Sequence, residues 1–201
     1  AKLWFVLLVI MQNELAKAAE EITRYRDITT SVGHTPRAPI ILTNVSCAES
    51  RAEAQERASL YLSRKRDSID THYHFSDGHL ATVKGYEFYG GMAKTYSKMK
   101  DPGFRKKATE FYVRIQVVGT PDDCLQQVAE LHRLTGLDHL VTEYGYGGMP
   151  HEQAELNMRL FADRVLPVLQ RDRAFGSVPA DGASGRPGTA IPGASGVFAP
   201  A

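Results

Sequence analysis

The sequence predicts an α/β fold in which parallel strands alternate with covering helices, the unit that a (β/α)8 barrel repeats. Three observations predict it. Apolar runs of strand length, at 3–10, 40–45 and 139–144, are separated by longer stretches of helical periodicity. The first run is continuously apolar, as parallel strands covered on both faces are. The last run feeds the loop Tyr144-Gly145-Tyr146-Gly147-Gly148, at the carboxyl end of a strand, where barrels build their sites.

Taken in order, the elements justify themselves unequally. After 3–10, Asn13 can cap a helix with the apolar stripe Leu15, Ala18, Ala19, Ile22 and Tyr25, and Gly33 and Pro36 end that unit. The strand 40–45 leads into a second helix over 48–73, with Arg and Glu on its wet face, read as another crossover helix. A long excursion over 74–116 follows, with a turn at Asp77-Gly78, a helix over 86–99 and a helical piece over 105–115. An insertion this large between strand and helix is usually a lid or a pocket wall.

The clearest element comes next. Thr120 can cap a helix whose first residue is Pro121, with Asp122 and Asp123 in its positive first turn. Cys124, Leu125, Val128, Leu131 and Leu134 recur at helical spacing, and Gly136 stops the helix. Residues 139–144 have the length and composition of a buried strand, and a second amphipathic helix runs on to Pro167. Residues 174–201 are dominated by Ala, Gly, Pro and Ser and are expected to be disordered, which leaves 1–173 as the folded part. The chain begins at Ala1 inside a strand-like run, which reads as a fragment; a deliberately chosen boundary is the alternative.

Composition narrows the function. A chain of 201 residues, 43% hydrophobic and 23% charged, suits one soluble domain. A net charge of +1 gives no reason to expect nucleic acid or a charged membrane as partner. The longest apolar run is too short to span a bilayer. Cys47 and Cys124 stand alone in different contexts, which suits a reduced, cytoplasmic chain. The sequence has no G-x-x-x-x-G-K-S/T, no G-x-G-x-x-G and no G-x-S-x-G motif.

Candidate site residues fall in two places. His72, His74 and His79, with Asp77, form a polar cluster at the start of the excursion. Without a second group of acidic or Cys ligands it points to a pocket or to surface, and no metal is expected. Tyr86 and Tyr89 read as packing or as pocket wall. Tyr144 and Tyr146 offer flat, partly polar surfaces, or packing. Gly147 and Gly148 precede a helix N-terminus, a place that can hold an anion or simply turn. Glu143 can act as acid or base, and His151 reads as surface.

Val118-Gly119-Thr120-Pro121, Asp138-His139-Leu140 and the run from Leu160-Phe161 through Val165-Leu166-Pro167 occur in an order and spacing that resembles the bacterial-luciferase-like flavin-dependent monooxygenases. The upstream run ILTNVSCAESRAEAQERA is similar too, so the resemblance covers about 1–169. It implies the C-terminal portion of a (β/α)8 TIM barrel with a helical insertion. It implies reduced FMN supplied by a flavin reductase, O2 and a small organic substrate, and a homo- or hetero-dimer. On this resemblance Met11, Tyr144, Gly145, Tyr146 and Gly147 would face the flavin, and His74, His79, Tyr86 and Tyr89 the substrate; no catalytic residue is identified. An F420-dependent oxidoreductase shares the same grammar, and a non-catalytic partner subunit is the reading from a different class. The family's phosphate-gripping loop would stand before Ala1, so the isolated chain is expected to bind FMN poorly and to associate through its strand edges.

Overall fold

The computed structural model describes residues 5–171, so the expected disorder of 174–201 lies outside the described residues. Its centre is a parallel sheet. β2 (Ile40–Cys47) pairs on one side with β1 (Leu8–Ile10) and on the other with β4 (His139–Glu143). The three expected strands are therefore parallel neighbours. A fourth, β3 (Val117–Gly119), pairs with the last part of β2, Val45 to Val117 and Cys47 to Gly119, beyond the point where β1 ends.

The crossovers are α1 (Leu15–Ser31), from β1 to β2, and α5 (Pro121–Thr135), from β3 to β4. The last helices are α6 (His151–Arg164) and α7 (Leu166–Arg171). Strand side chains alternate between faces. Ile41, Val45 and Cys47 point to the side covered by Ala18 and Ile22 of α1, Cys124, Val128 and Leu131 of α5, and Phe161 and Val165 of α6. This is the main core, and burial of each large aliphatic chain in it contributes about 1.5–3 kcal/mol.

The helix after β2 is not a crossover on that side. α2 (Arg51–Tyr73) lies across the other face of the sheet at its carboxyl end, packed on α4 (Pro102–Arg114) through Ala58, Tyr61, Leu62 and Val113. Its stripe matches what the strand offers there: Ser46 Oγ donates to Ala54 O at 2.9 Å, and Arg57 Nε donates to Ser46 Oγ at 3.1 Å. Amphipathic spacing showed that a face would be buried but not against which side of the sheet. Two 3-10 turns, Phe75–Asp77 and His79–Thr82, and α3 (Glu87–Lys98) complete the insertion.

Three further expectations are corrected. Asn13 does not cap α1: Glu14 holds the N-cap position without a side-chain cap bond, and its carboxylate accepts from Arg114 Nη2 at 2.8 Å instead. Among the described residues, strand pairing of the first apolar run is confined to Leu8–Ile10, and this is an edge strand with Leu8 and Ile10 half exposed. β4 is not buried on both faces either: Val141 is 44% exposed, and among the described residues β4 pairs with β2 alone. Among the described residues no helix is long and apolar enough to cross a membrane.

The cap on α5 is as expected and more complete. Thr120 Oγ1 accepts from the Asp123 N–H, and Asp123 Oδ2 accepts from the Thr120 N–H at 3.0 Å, a reciprocal capping box. Gly136 takes the left-handed conformation at the other end. Thr120→Ala is expected to cost about 1 kcal/mol, read as a lower urea midpoint with an unchanged slope. The Arg51 guanidinium and then the Thr120 N–H hold the Asp123 carboxyl well below its ordinary value of 3.8. A depressed carboxylate stabilises above its unfolded value and loses that contribution as pH falls. Stability measured against pH should therefore decline below about 4, and less steeply in Asp123→Asn.

Candidate functional site

β2 and β4 bring two polar side chains together at their carboxyl ends. Asn44 and Glu143 are partners in the parallel ladder, so they share a face of the sheet. α2 crosses above them and lowers Lys65 between the two. Lys65 Nζ donates to Asn44 Oδ1 at 2.8 Å and forms a close ion pair with Glu143 Oε2. The Tyr146 ring lies 5.9 Å from the same ammonium, and Tyr112 is half-buried against the same cluster of α2 and α4. Burial first of all pushes both phenols above their ordinary range, so Tyr112 and Tyr146 remain neutral donors. Lys65 is 22% and Glu143 37% exposed, so the pair is reachable from the open part of this face. That part is apolar, with Leu8, Ile10 and Val141 each exposed.

Two buried amides hold this region together. β1 ends and β3 begins on the same edge of β2, and the rung between them is made by a side chain. Gln116 Oε1 accepts from the Asn44 N–H at 2.9 Å and from Asn44 Nδ2 at 3.0 Å, while its Nε2 donates to Met11 O at 2.9 Å. On the other edge, where β4 has ended, Asn157 of α6 takes over. Its Oδ1 accepts from the Cys47 N–H at 2.7 Å, and its Nδ2 donates to Val45 O at 2.7 Å and to Tyr144 O at 3.0 Å.

The structure disperses the residues expected to face the flavin. Met11 is buried on the helix-covered side, in the core, because strand parity puts it opposite to Ile10. It also lines a cleft of about 440 Å³ between α1, β3 and α5. Tyr144 packs edge-on against Phe161 at 5.5 Å, again on the helix side. Tyr146 is buried between α2 and α4, its hydroxyl donating to Val45 O at 3.2 Å. Gly145 is exposed, with Ala154 close to where a Cβ would stand. Gly147 lies hard against the α2 backbone, a Cβ there falling 1.9 Å from Tyr61 O. Of these residues Tyr146 comes near the Lys65 ammonium, and Gly147 approaches the Lys65 backbone.

The expected pocket residues stand apart from that cluster. His74 caps α2 in the left-handed conformation, exposed, with Nδ1 3.6 Å from Asp77 Oδ2. His79 is exposed on the second 3-10 turn. Tyr86 and Tyr89 belong to an aromatic ladder with Phe75, Phe75 and Tyr89 stacking at 5.6 Å and Tyr89 and Tyr86 lying 5.8 Å apart. His151 is exposed at the start of α6. Among the described residues no group of three or more His, Cys, Asp or Glu side chains is placed to hold a metal ion.

Glu143 was identifiable as a candidate from its place at a strand end. Asn44, Lys65, Gln116 and Asn157 were not. Lys65 is one of five Lys and Arg residues in α2, and no spacing marks it as the one that reaches Asn44 and Glu143.

The fold recurs in a solved monooxygenase. The oxygenating constituent of 3,6-diketocamphane monooxygenase from Pseudomonas putida, a type II Baeyer-Villiger enzyme solved with FMN, matches with a TM-score of 0.51 at 20% identity, over 81% of this chain and 42% of that one. Monooxygenase RslO1 from Streptomyces bottropensis matches with a TM-score of 0.49 at 19% identity, over 81% and 41%. Apo-MsnO8 matches with a TM-score of 0.48 at 20% identity, over 83% and 46%. The chain thus spans less than half the length of these structures. No curated protein matches it. The family described as luciferase-like monooxygenase matches residues 1–139, well over half of the sequence and all of the first three strands. With that match, and with a parallel sheet whose polar residues gather at the strand ends, the chain belongs to the luciferase-like monooxygenase family.

Proposed function

We propose that this chain forms one wall of the flavin site of a monooxygenase that uses reduced FMN and O2 to oxidise a small organic substrate. A flavin reductase would supply the reduced cofactor, and the intact enzyme would work in the cytoplasm as a dimer of like or related subunits. The observation that carries the reading is the Asn44–Lys65–Glu143 cluster at the carboxyl ends of β2 and β4, beside an open apolar face. An isoalloxazine ring is flat and apolar on its faces and rich in acceptors along one edge. Leu8, Ile10 and Val141 suit the faces, and Lys65 and Asn44 suit the edge.

Bound and reduced, the flavin supplies the electrons that activate O2. The chain's own share is different. Lys65 presents a positive charge and a proton, Glu143 holds Lys65 in place, and Asn44 orients it from below. α2 and α4 keep water away from the strand ends through Tyr61, Leu62 and Val113.

Anaerobic titration with reduced FMN tests this, with a reduced 5-deazaflavin run in parallel. Lys65→Met is expected to weaken binding about tenfold, roughly 1.4 kcal/mol, while the far-ultraviolet spectrum stays that of the parent. Equal affinity of parent and variant would remove the cluster from the flavin site. Preference for the deazaflavin would move the assignment to an F420-type oxidoreductase.

A further inference from the structure

Residues 98–107 hold the cations Lys98, Lys100, Arg105, Lys106 and Lys107, with Asp101 as their sole acid. The last three stand in the opening turns of α4, whose first turn contains no acid. Cations there run against the helix dipole, which favours negative charge near an N-terminus. Asp101 offsets this in part as the N-cap, accepting from the Phe104 N–H at 2.7 Å.

A cleft of about 360 Å³ runs between α2 and α4, lined by Ser59 and Ser63 of α2 and by Arg105, Lys106, Thr109 and Glu110 of α4. Arg105 is 40% and Lys106 80% exposed, so the cleft opens to solvent. Two carboxylates serve these two cations. Arg105 forms a close ion pair with Asp67 and donates from Nη2 to Ser63 Oγ at 3.2 Å. Lys106 Nζ stands 4.0 Å from Glu110 Oε1.

A third cation has no such partner. Arg66 is 8% exposed, and among the described residues it forms no ion pair, its neighbour Asp67 being held by Arg105. Arg66 Nη2 donates to Thr109 Oγ1 at 2.7 Å, and Thr109 is itself a wall of the cleft. The Arg66 Nε is buried without a hydrogen-bond partner. A guanidinium cannot shed its proton, and an unpaired buried charge is strongly unfavourable. Three cations against two carboxylates leave this part of the molecule one anion short.

We propose that the cleft between α2 and α4 binds a phosphate group, either free or carried on a phosphomonoester. Arg105 and Lys106 hold its oxygens from α4, and the Ser59 and Ser63 hydroxyls hold them from α2. Donors converging from two helices suit a tetrahedral oxyanion better than a planar carboxylate. The added negative charge compensates Arg66 across Thr109, while Glu110 at the cleft opposes it. The site is distinct from the Asn44–Lys65–Glu143 cluster, which Lys65 reaches from α2 toward the sheet.

Phosphorus-31 line broadening tests this with the full chain, in a zwitterionic buffer with sodium chloride holding the ionic strength constant. Inorganic phosphate is the first probe, phenyl phosphate the second, and acetate, followed by its proton signal, the planar control. Saturable broadening of the phosphate signal is expected. Arg105→Met should weaken binding about tenfold and Lys106→Met about threefold. Lys107→Met, which removes the same charge from a neighbouring position outside the cleft, should stay within about twofold of the parent. Far-ultraviolet spectra check that each variant is folded, and the exposed Lys106 keeps the test valid where Arg105→Met is not. Tighter binding of phenyl phosphate supports the site with a phosphomonoester as its occupant, and binding of inorganic phosphate at least as tight supports it with the free ion. Absence of saturable broadening by either phosphate would overturn the proposal. So would acetate binding as tightly as phosphate, or equal losses in Lys106→Met and Lys107→Met.

Discussion

Gly147→Val will unfold the region around α2 rather than merely slow a reaction. The spacing of the loop suggests a flexible turn at the mouth, where a side chain would disturb turnover first. The geometry points the other way. A Cβ on Gly147 would stand 1.9 Å from Tyr61 O, 2.8 Å from Tyr61 C and 2.9 Å from Lys65 N, all backbone atoms of a helix. Backbone in mid-helix cannot rotate aside as a side chain can. The residue also sits at φ +61°, which disfavours any β-branched replacement. Overpacking plus strain should cost about 4 kcal/mol or more, a large fraction of the stability of a small domain. Gly148 is the internal control: its φ is +73°, but nothing lies within 4 Å of a Cβ there. Gly148→Ala should lose only the conformational part, about 1–2 kcal/mol. Urea unfolding of both variants decides it. If the two lose the same amount, contact with α2 is not what requires glycine at 147. Moving α2 also moves Lys65, so flavin binding should fall with folding and not separately from it.

Asn157→Leu is expected to be nearly as damaging. Leucine fills a similar volume, yet it removes one acceptor and two donor hydrogens that serve Cys47 N, Val45 O and Tyr144 O. Asn157 is fully buried, so water cannot replace it. Each orphaned backbone group costs about 1–3 kcal/mol, and Val45 O keeps only the Tyr146 hydroxyl. The sum should be about 3–5 kcal/mol, seen as a lower denaturant midpoint. Hydrogen exchange at the Cys47 amide should accelerate before that of Ile41, which lies in the fully paired half of β2. Uniform acceleration along β2 would show that Asn157 stabilises the whole domain and not this rung.

What was legible in the sequence and what was not divides along physical lines. Thr120-Pro121 and Gly136 mark the ends of α5 because a cap is a local hydrogen-bond arrangement within a few residues. The runs at Ile41, Val45 and Leu140 show as strands because a strand needs only its own alternation and length. Glu143 was visible as a candidate because a strand end has a place in the sequence. Asn13 does not cap α1 because the helix begins one residue later, with Glu14 in the N-cap position and its carboxylate on Arg114, 100 residues away.

The site cluster belongs to the other category. Asn44 and Lys65 look like any polar residues until the β2–β4 register places Asn44 beside Glu143 and α2 turns Lys65 onto them. Tyr144 and Tyr146, two residues apart, looked equivalent, and the loop sent one into the α6 side and the other under α2. Gln116 and Asn157 gave no signal, because an amide becomes a ladder rung only where two strands happen to stop short of a third. The sequence by itself determined the parallel α/β class, the capped helix and the order of the elements, since each rests on short-range patterning. Only the tertiary structure decided which side of the sheet α2 covers and which carboxylate meets which cation, because these are contacts between residues dozens of positions apart, set by register and packing.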